Sequence, residues 1–185
     1  MLKEIIPEML KMLTIVSDAA IILIVFGLLY NKINNIDRFG KIKSIFKKNY
    51  LLFGLIVSMV ATLGSLFYSE ILKYPPCILC WWQRIFMYPQ VILFATALWY
   101  KRRDRQLADS PLKYSLPLSI IGAGIAIYHI ILPALEKYGV ACVTTSGVSC
   151  TKLYVFAFGY ITIPVMSLTI FAILILLAIA NNFKS

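Results

Sequence analysis

The chain has 185 residues, of which 61% are hydrophobic and only 14% are charged. Soluble domains carry about 45–50% apolar and about 25% charged residues, so this composition excludes an ordinary water-soluble domain. The formal net charge of +10 comes from 18 Lys and Arg residues against 8 Asp and Glu residues. In a soluble chain this charge would suggest a nucleic-acid partner, but in a membrane protein basic residues mark the cytoplasmic loops, and we expect no nucleic acid.

Five apolar runs are candidates for membrane spans, because a helix needs about 20 residues to cross a bilayer. The first run contains Asp18 near one end, where the carboxylate can reach the interface, and this run could also be an uncleaved signal anchor. We predict an all-α integral membrane protein, with a four-helix transmembrane bundle in residues 50–185 and an additional N-terminal transmembrane helix and basic loop in residues 1–49. The runs are 12–30, 50–68, 81–100, 114–133 and 163–180.

The basic residues assign the two sides of the membrane. Twelve lie between the first and second runs, between the third and fourth runs, or at the C-terminus, five lie in the N-terminal segment or the other two connecting segments, and Arg84 lies inside the third run. The positive-inside rule therefore places the N-terminus outside the cytoplasmic membrane and the C-terminus inside the cell. All the cysteines then face the extracytoplasmic side, where disulfides can form: Cys77, Cys80, Cys142 and Cys150.

A Cys-x-x-Cys motif lies where the third run begins. Proline is favoured at the first helical position, so Pro75 and Pro76 are expected to open a helix whose first turn contains Cys77 and Cys80. The positive end of a helix dipole favours a thiolate over a thiol. Because the thiolate is the form that exchanges disulfides, the motif indicates redox chemistry.

Two polar side chains lie at a similar depth near this motif. Arg84 follows Cys80 by four residues and therefore shares its helix face. An arginine inside a membrane is costly, so Arg84 either stabilises a thiolate or a ligand oxygen, or it snorkels to the headgroups. His129 lies near the outer end of the fourth run and either binds or protonates the same ligand oxygen, or is a hydrogen-bonded core residue.

The second cysteine pair lies in the outer segment 134–162. Small and polar residues separate Cys142 from Cys150 and predict a flexible loop that another protein can reach, although a static structural disulfide is an alternative. A zinc site built from all four cysteines is less favoured, because an oxidising exterior favours disulfides. The aromatic stretch 152–162 predicts a short helix lying in the interface, anchored by Tyr154, Phe156, Phe158 and Tyr160.

The residues around the motif resemble the DsbB/BdbC family of disulfide-bond formation proteins, and especially its BdbC branch. The resemblance covers the chain from about residue 50 onward. Cys-x-x-Cys alone is a weak signal, but here Gln83-Arg84 follows it, and a second external cysteine pair begins thirteen residues after Tyr128-His129. The motif reads Cys77-Ile-Leu-Cys-Trp-Trp-Gln-Arg-Ile-Phe-Met-Tyr-Pro89.

The resemblance implies a four-helix membrane bundle with a quinone, ubiquinone or menaquinone, bound beside the Cys-x-x-Cys. It implies that the protein oxidises an extracytoplasmic partner with a thioredoxin fold, similar to DsbA or BdbD, and delivers the electrons to the membrane quinone pool. The N-terminal run and its basic loop are additional to this four-helix core.

The resemblance also implies roles for individual residues. Cys142 would form the mixed disulfide with the partner, Cys150 would pass the electrons to Cys77, and Cys80 would be the thiolate that meets the quinone. The two redox disulfides would be Cys77–Cys80 and Cys142–Cys150. No metal is expected, and the quinone would be held by Arg84, His129 and Gln83.

Two other functions remain as alternatives. A vitamin K epoxide reductase type enzyme also couples a Cys-x-x-Cys to a quinone, but in that family the loop pair precedes the motif, whereas here Cys77 and Cys80 come first. A non-catalytic membrane scaffold or small transporter with two structural disulfides would instead hold cysteines that never cycle.

Overall fold

The computed structural model describes residues 2–34, 40–101, 105–136, 148–152 and 154–182. Within these residues the chain forms five α-helices in the order of the predicted spans, and a π-helical turn, Phe67–Ile71, ends the second helix. The described residues contain no β-strand, which confirms the all-α prediction. The helices are α1 (Leu2–Asn34), α2 (Gly40–Leu66), α3 (Ile78–Tyr100), α4 (Arg105–Glu136) and α5 (Ile163–Asn182).

Helices α2 to α5 form a four-helix bundle. Each of them packs against the next along the chain, and α5 returns to pack against α2, so the four helices enclose a common interior. Helix α1 lies outside this ring and packs against α5. The predicted bundle with an additional N-terminal helix is therefore confirmed.

The surface of the bundle suits a lipid environment. Within the part of the chain that the structure describes, two segments are long and apolar enough to cross a membrane, Asn49–Ile71 and Lys113–Leu135, and Ile163–Ile179 is a shorter apolar segment. Large apolar side chains are exposed along the helices, for example Ile92 and Leu63. In water such a surface would promote association, whereas in lipid it is in its preferred solvent.

Glycines allow the helices to approach closely at two levels of the core. A Cβ atom at Gly54 of α2 would collide with the ring of Phe94, and one at Gly122 of α4 would collide with the ring of Phe171. Both rings are almost completely buried. Glycine at these two positions of α2 and α4 therefore leaves the space that the rings of Phe94 and Phe171 occupy.

A buried polar contact joins α3 to α4. The amide of Gln90 donates to Ser119 Oγ at 2.9 Å, and Ser115 Oγ donates to Gln90 Oε1 at 2.7 Å. All three side chains are fully buried. Hydrogen bonds between transmembrane helices satisfy groups that lipid cannot, so this contact fixes the register of the two helices.

The aromatic stretch 152–162 does not form the predicted interfacial helix. Its described residues make a tight turn, in which Ala157 and Ile161 exchange backbone hydrogen bonds of 3.0 and 2.9 Å. Phe158 and Gly159 have φ values of 51° and 80°. A right-handed helix excludes this left-handed backbone, and glycine adopts it readily, so the helix prediction was wrong.

We expect Gly122→Ala to destabilise the bundle, because the new methyl group must displace the buried ring of Phe171. The expected loss is about 1–3 kcal/mol, as for other overpacked cores. Gly124→Ala is the matched control on the same helix, since a Cβ there meets nothing within 4 Å. Thermal unfolding of the purified variants in one detergent measures both effects. Equal stability of the two variants would contradict the packing described for Phe171.

Candidate active site

The Cys-x-x-Cys motif caps the start of α3. Cys77 is the N-cap residue, with an extended backbone (φ −73°, ψ 171°), and its sulfur accepts a hydrogen bond from the backbone N–H of Cys80 at 3.4 Å. The helix therefore begins at Ile78, two residues after the prolines that were predicted to open it. The reason is that a residue before proline is restricted to extended conformations, so Pro75 and Pro76 precede the helix.

Both sulfurs of the motif are thiols in this structure. The Sγ atoms of Cys77 and Cys80 lie 3.1 Å apart, in hydrogen-bond contact and farther apart than the roughly 2.05 Å of a disulfide bond. Cys77 is buried, whereas Cys80 is only partly buried. The pair therefore forms a compact dithiol at the start of α3.

His129 connects this dithiol to the second cysteine segment. Its Nε2 lies 2.9 Å from the carbonyl oxygen of Cys150 and 3.7 Å from the sulfur of Cys77. Its Nδ1 lies 3.1 Å from the amide nitrogen of Gln83. Because a carbonyl oxygen can only accept, Nε2 carries the proton, and Nδ1 accepts from the Gln83 amide. One histidine on α4 therefore positions parts of three segments.

Gln83 acts on His129 in this arrangement. Its side chain is 4% exposed, and its amide N–H donates to Nδ1, the ring nitrogen of His129 that does not contact the Cys150 carbonyl. This contact explains why a glutamine stands between the motif and Arg84. The predicted contact between Gln83 and a quinone stays a prediction.

Arg84 points along the face of α3 that Cys80 shares. Its Nη2 donates to the carbonyl oxygen of Ser65 at 3.2 Å, and its guanidinium lies 5.2 Å from the ring centroid of Trp81. Ser65 lies two residues before the π-helical turn of α2. The arginine is thus held by α2 and by an aromatic ring at the depth of the thiols.

The second cysteine pair is described in part. Cys150 is disulfide-bonded and buried, and it belongs to one apolar cluster with Cys77 and Leu132. Cys142, the partner that we predict for it, lies outside the described residues. The structure therefore brings Cys77, Cys80 and Cys150 together at one end of the bundle.

A stack of three tyrosines holds the two outer segments together. Tyr74 stacks on Tyr68 with centroids 6.1 Å apart and on Tyr154 with centroids 5.0 Å apart. Tyr74 precedes the first cysteine pair, and Tyr154 follows Cys150. Offset stacking contributes about 0.5–1.5 kcal/mol per pair, so the stack stabilises the position of Cys150 beside Cys77.

These side chains line one cavity of about 490 Å³. It lies within the size range of about 300–1,000 Å³ that is typical of ligand sites, and most of its wall is apolar. The predicted site residues that line it are Cys77, Cys80, Gln83, Arg84, His129 and Cys150. The cavity therefore combines a membrane-depth apolar wall with a dithiol, a guanidinium and an imidazole.

Two hydroxyl groups at the cavity have no hydrogen-bond partner among the described residues. They are the phenol of Tyr68 on the π-helical turn and the hydroxyl of Ser167 on α5, whose side chains are 6% and 7% exposed. A buried donor without a partner costs about 1–3 kcal/mol. Both residues contribute to the lining of the cavity, and their hydroxyl oxygens are themselves buried in its wall.

Sequence reasoning did not identify Tyr68, Ser167 or the acceptor carbonyl of Ser65. Single hydroxyl residues are ordinary in apolar helices, and no spacing in the chain relates Ser167 to Tyr68. A backbone carbonyl has no sequence signal at all. Only the packing of α2 and α5 around a shared cavity reveals them.

Three side chains of the site that could bind a metal ion lie close together. The donor atoms of Cys77, Cys80 and His129 lie within 4.8 Å of one another. Structural zinc takes four ligands, and no fourth Cys, His, Asp or Glu joins this group among the described residues. The disulfide at Cys150 removes that sulfur from consideration. The geometry therefore favours a dithiol over a closed zinc site.

The surroundings of Cys77, the residue before α3, favour its thiolate. A hydrogen bond from the Cys80 thiol, another from His129 and one from the Cys80 backbone lower the pKa of Cys77 from 9.0 to about 4, although burial acts in the opposite direction. The resemblance placed the thiolate at Cys80, whereas these donors face Cys77. The role of Cys80 at the quinone stays a prediction.

We expect the thiolate absorbance of the reduced pair to persist below neutral pH and to disappear only near pH 4. The lowered pKa stabilises the reduced fold fully above pH 9, and this contribution is lost as the pH falls toward 4. A background with serine at 142 and 150 leaves only the motif to titrate. His129→Ala removes one donor and should raise the pKa, whereas Tyr128→Phe, on the exposed neighbouring position, should not. An unchanged titration in His129→Ala would contradict the assigned contact.

The amino-acid sequence is similar to a family of known proteins. Residues 47–181 match the family described as "Disulfide bond formation protein DsbB". "Probable disulfide formation protein C 1" of Bacillus anthracis is 42% identical over 123 residues, which are 66% of this chain and 84% of the relative. "Disulfide bond formation protein C" of Bacillus subtilis strain 168 is 40% identical over 121 residues, 65% of this chain and 83% of the relative. No solved structure matches the chain.

The family match covers more than half of the chain and confirms the resemblance seen at the cysteine motif. It agrees with the helical bundle, whose apolar surface suits a membrane. The protein is accordingly a helical membrane oxidoreductase that acts in disulfide-bond formation. The chain belongs to the DsbB family of disulfide bond formation proteins.

Proposed function

We propose that this chain is a thiol:quinone oxidoreductase that reoxidises an extracytoplasmic, DsbA-like protein with a thioredoxin fold. Two electrons pass through Cys142/Cys150 and Cys77/Cys80 to a membrane quinone, ubiquinone or menaquinone. One observation carries the proposal: the Cys77/Cys80 dithiol, Arg84 and Cys150 line the same apolar cavity. The vitamin K epoxide reductase alternative fits less well, because the order of its cysteine pairs differs and the family match is to DsbB.

The relay consists of thiol–disulfide exchanges followed by one oxidation. The partner's two thiols reduce the Cys142–Cys150 disulfide, and the new dithiol then reduces the Cys77–Cys80 disulfide. In each exchange one S–S bond breaks and one forms, and two electrons and two protons move together. Packing of Cys150 against Cys77 in one cluster supports transfer between these two pairs.

Cys80 is suited to the last step by its position. Cys80 is less buried than Cys77 and shares a helix face with Arg84. When Cys77 holds the negative charge, it can accept the proton of Cys80 across the 3.1 Å contact between the sulfurs. The charge then moves to the sulfur on the Arg84 face, where the guanidinium stabilises it.

The cavity fits a quinone. A quinone has two carbonyl oxygens that accept hydrogen bonds, and it accepts two electrons and two protons to become a quinol. The guanidinium of Arg84 and the unpartnered hydroxyls of Tyr68 and Ser167 are donors at this cavity. The apolar wall suits the ring and its isoprenoid chain, and the membrane supplies the compound.

The sidedness follows from the charges and from α1. The basic residues predict an external N-terminus, and the N-terminal half of α1 lines the same cavity as Cys77 and Cys80. The N-terminus and the cysteines thus lie toward the same face of the bundle. This arrangement supports an extracytoplasmic site that a secreted thioredoxin-fold protein can reach.

We expect Cys77→Ser and Cys80→Ser each to abolish quinone reduction driven by a reduced thioredoxin-fold partner, because either change removes the dithiol. Cys150→Ser should abolish the reaction with the partner but retain quinone reduction by a small dithiol that reaches Cys77 and Cys80 directly. Quinone absorbance followed with the purified variants measures both reactions. Wild-type rates in Cys80→Ser would refute the proposed function, and the scaffold alternative predicts no quinone reduction by any variant.

We expect Arg84→Ala to raise the KM for quinone by about tenfold or more, because a charged hydrogen bond contributes about 1.5–3 kcal/mol. Arg84→Lys should retain part of the affinity, since it keeps the charge but not the planar fork. Lys73→Gln removes an exposed cation of the same outer segment and controls for net charge. A rise in KM of equal size in Lys73→Gln would contradict a specific role for Arg84.

A further inference from the structure

Helix α1 is the part of the chain that the family does not account for. The family match begins at residue 47, whereas α1 ends at Asn34. Two features of the bundle nevertheless connect α1 to the cavity beside the cysteines: the opening between α2 and α5, and the polar contact made by Asp18.

The first feature is a gap between α2 and α5. At the end of the bundle away from the cysteines these helices pack tightly, with Tyr50 and Leu51 in one core cluster with Leu174 and Leu177. Nearer the cysteines the cavity lies between them, since Val60, Gly64 and Ser65 of α2 and residues within 163–169 of α5 contribute to its lining. Without α1, this side of the cavity would open to the surroundings of the bundle.

Helix α1 lies across the gap and touches both of its sides. A Cβ atom at Gly64 of α2 would lie 3.3 Å from Leu10, so the leucine packs against the glycine. On the other side, Thr169 of α5 donates to the carboxylate of Asp18 at 2.6 Å. Helix α1 therefore bridges α2 and α5.

One face of α1 lines the cavity, and the remaining surface faces away. Four residues of α1 contribute to the lining, at spacings of three and four that place them on one helical face. Met9 and Val16 lie off this face and are 64% and 65% exposed, as expected for side chains in lipid. The lining residues are Leu10, Leu13, Thr14 and Ser17.

Asp18 comes directly after Ser17, the last lining residue of α1, and its carboxylate accepts hydrogen bonds from two hydroxyl groups. Besides the bond from Thr169, the phenol of Tyr160 donates to its other oxygen at 3.4 Å. Among the described residues no cation pairs with Asp18. A carboxylate in an apolar helix is costly, and the two hydroxyls of the α5 segment offset part of that cost. Asp18 therefore fixes the position of α1 against α5.

Resting on the proposed function, we propose that α1 is a wall of the quinone site: its face of Leu10, Leu13, Thr14 and Ser17 contacts the bound quinone, and Asp18 is the positioning residue that holds this face over the gap. The unpartnered hydroxyls of Tyr68 and Ser167 flank the gap from α2 and α5. Quinone affinity then depends on a helix outside the four-helix core.

Photolabelling of the full-length protein tests this contact directly. An azido-substituted quinone with a short isoprenoid tail, irradiated with the purified wild type, should label the α1 peptide that contains residues 10–17, and excess unlabelled quinone should prevent the labelling. Label confined to α2–α5, in a protein that still reduces quinone, would overturn the role of α1 and leave the proposed function intact. Absence of both label and quinone reduction would overturn both.

Matched substitutions give a second, kinetic measurement. Leu13→Trp puts a larger side chain into the cavity and should raise the KM for quinone about tenfold with little change in kcat, because it alters binding contacts and not the dithiol. Val16→Trp makes the same kind of change on the lipid-facing side and should leave KM unchanged. An equal KM in the two variants would overturn the proposal.

The positioning role of Asp18 is tested by two substitutions at this residue. Asp18→Asn keeps an oxygen that accepts from Thr169 and should behave nearly as the wild type, whereas Asp18→Leu removes it and should raise the KM for quinone. A helix with a purely structural role predicts instead that Asp18→Leu lowers the amount of folded protein with an unchanged KM, and that result would refute the positioning role.

Discussion

The hydrogen bonds of one imidazole organise this molecule. His129 on α4 donates to the carbonyl of Cys150, faces the sulfur of Cys77 and accepts from the amide of Gln83. These contacts tie α3, α4 and the segment around Cys150 together, and the side chain of His129 is buried among them. Nε2 donates to the carbonyl of Cys150, and the amide of Gln83 donates to Nδ1. The position of Cys150 beside Cys77 and one of the contacts that favour the Cys77 thiolate depend on this group.

The bundle packs tightly at the end away from the cysteines and holds a cavity at the other end. Away from the cysteines, buried apolar residues of α2, α3 and α5 form a closed core. The ring of Phe94 packs directly against Gly54, where a larger residue would collide with it. Toward the cysteines α2 and α5 separate, and polar groups collect at the resulting cavity. A rigid closed end permits this separation, because the packing that holds the helices together lies elsewhere. The donors that lack partners, Tyr68 and Ser167, lie at the open end, where a ligand would be bound.

Helix α1 turns a four-helix core into a site with a further wall. Its contacts are few: Leu10 lies against α2, and the carboxylate of Asp18 receives hydrogen bonds from the α5 segment. In lipid, apolar contact alone gives helices little reason to associate, so the polar bond at Asp18 provides specificity that packing does not. A carboxylate that looked like a disadvantage for a membrane span is thereby the feature that joins the span to the bundle.

The sequence by itself determined the class of molecule, the helices and most of the chemistry. Apolar run length, the excess of basic residues and the Cys77-to-Arg84 motif are local properties, and they predicted an all-helical membrane oxidoreductase with its cysteines on one side. The segment 152–162 was predicted incorrectly as a helix, because aromatic content does not reveal the left-handed backbone at Phe158 and Gly159. Tertiary structure alone decided that the amide of Gln83 contacts His129, that the donors of the site face Cys77, and that Asp18 meets Thr169. These contacts join residues far apart in the chain, so only the packing of the helices, and no spacing within the sequence, brings their side chains together.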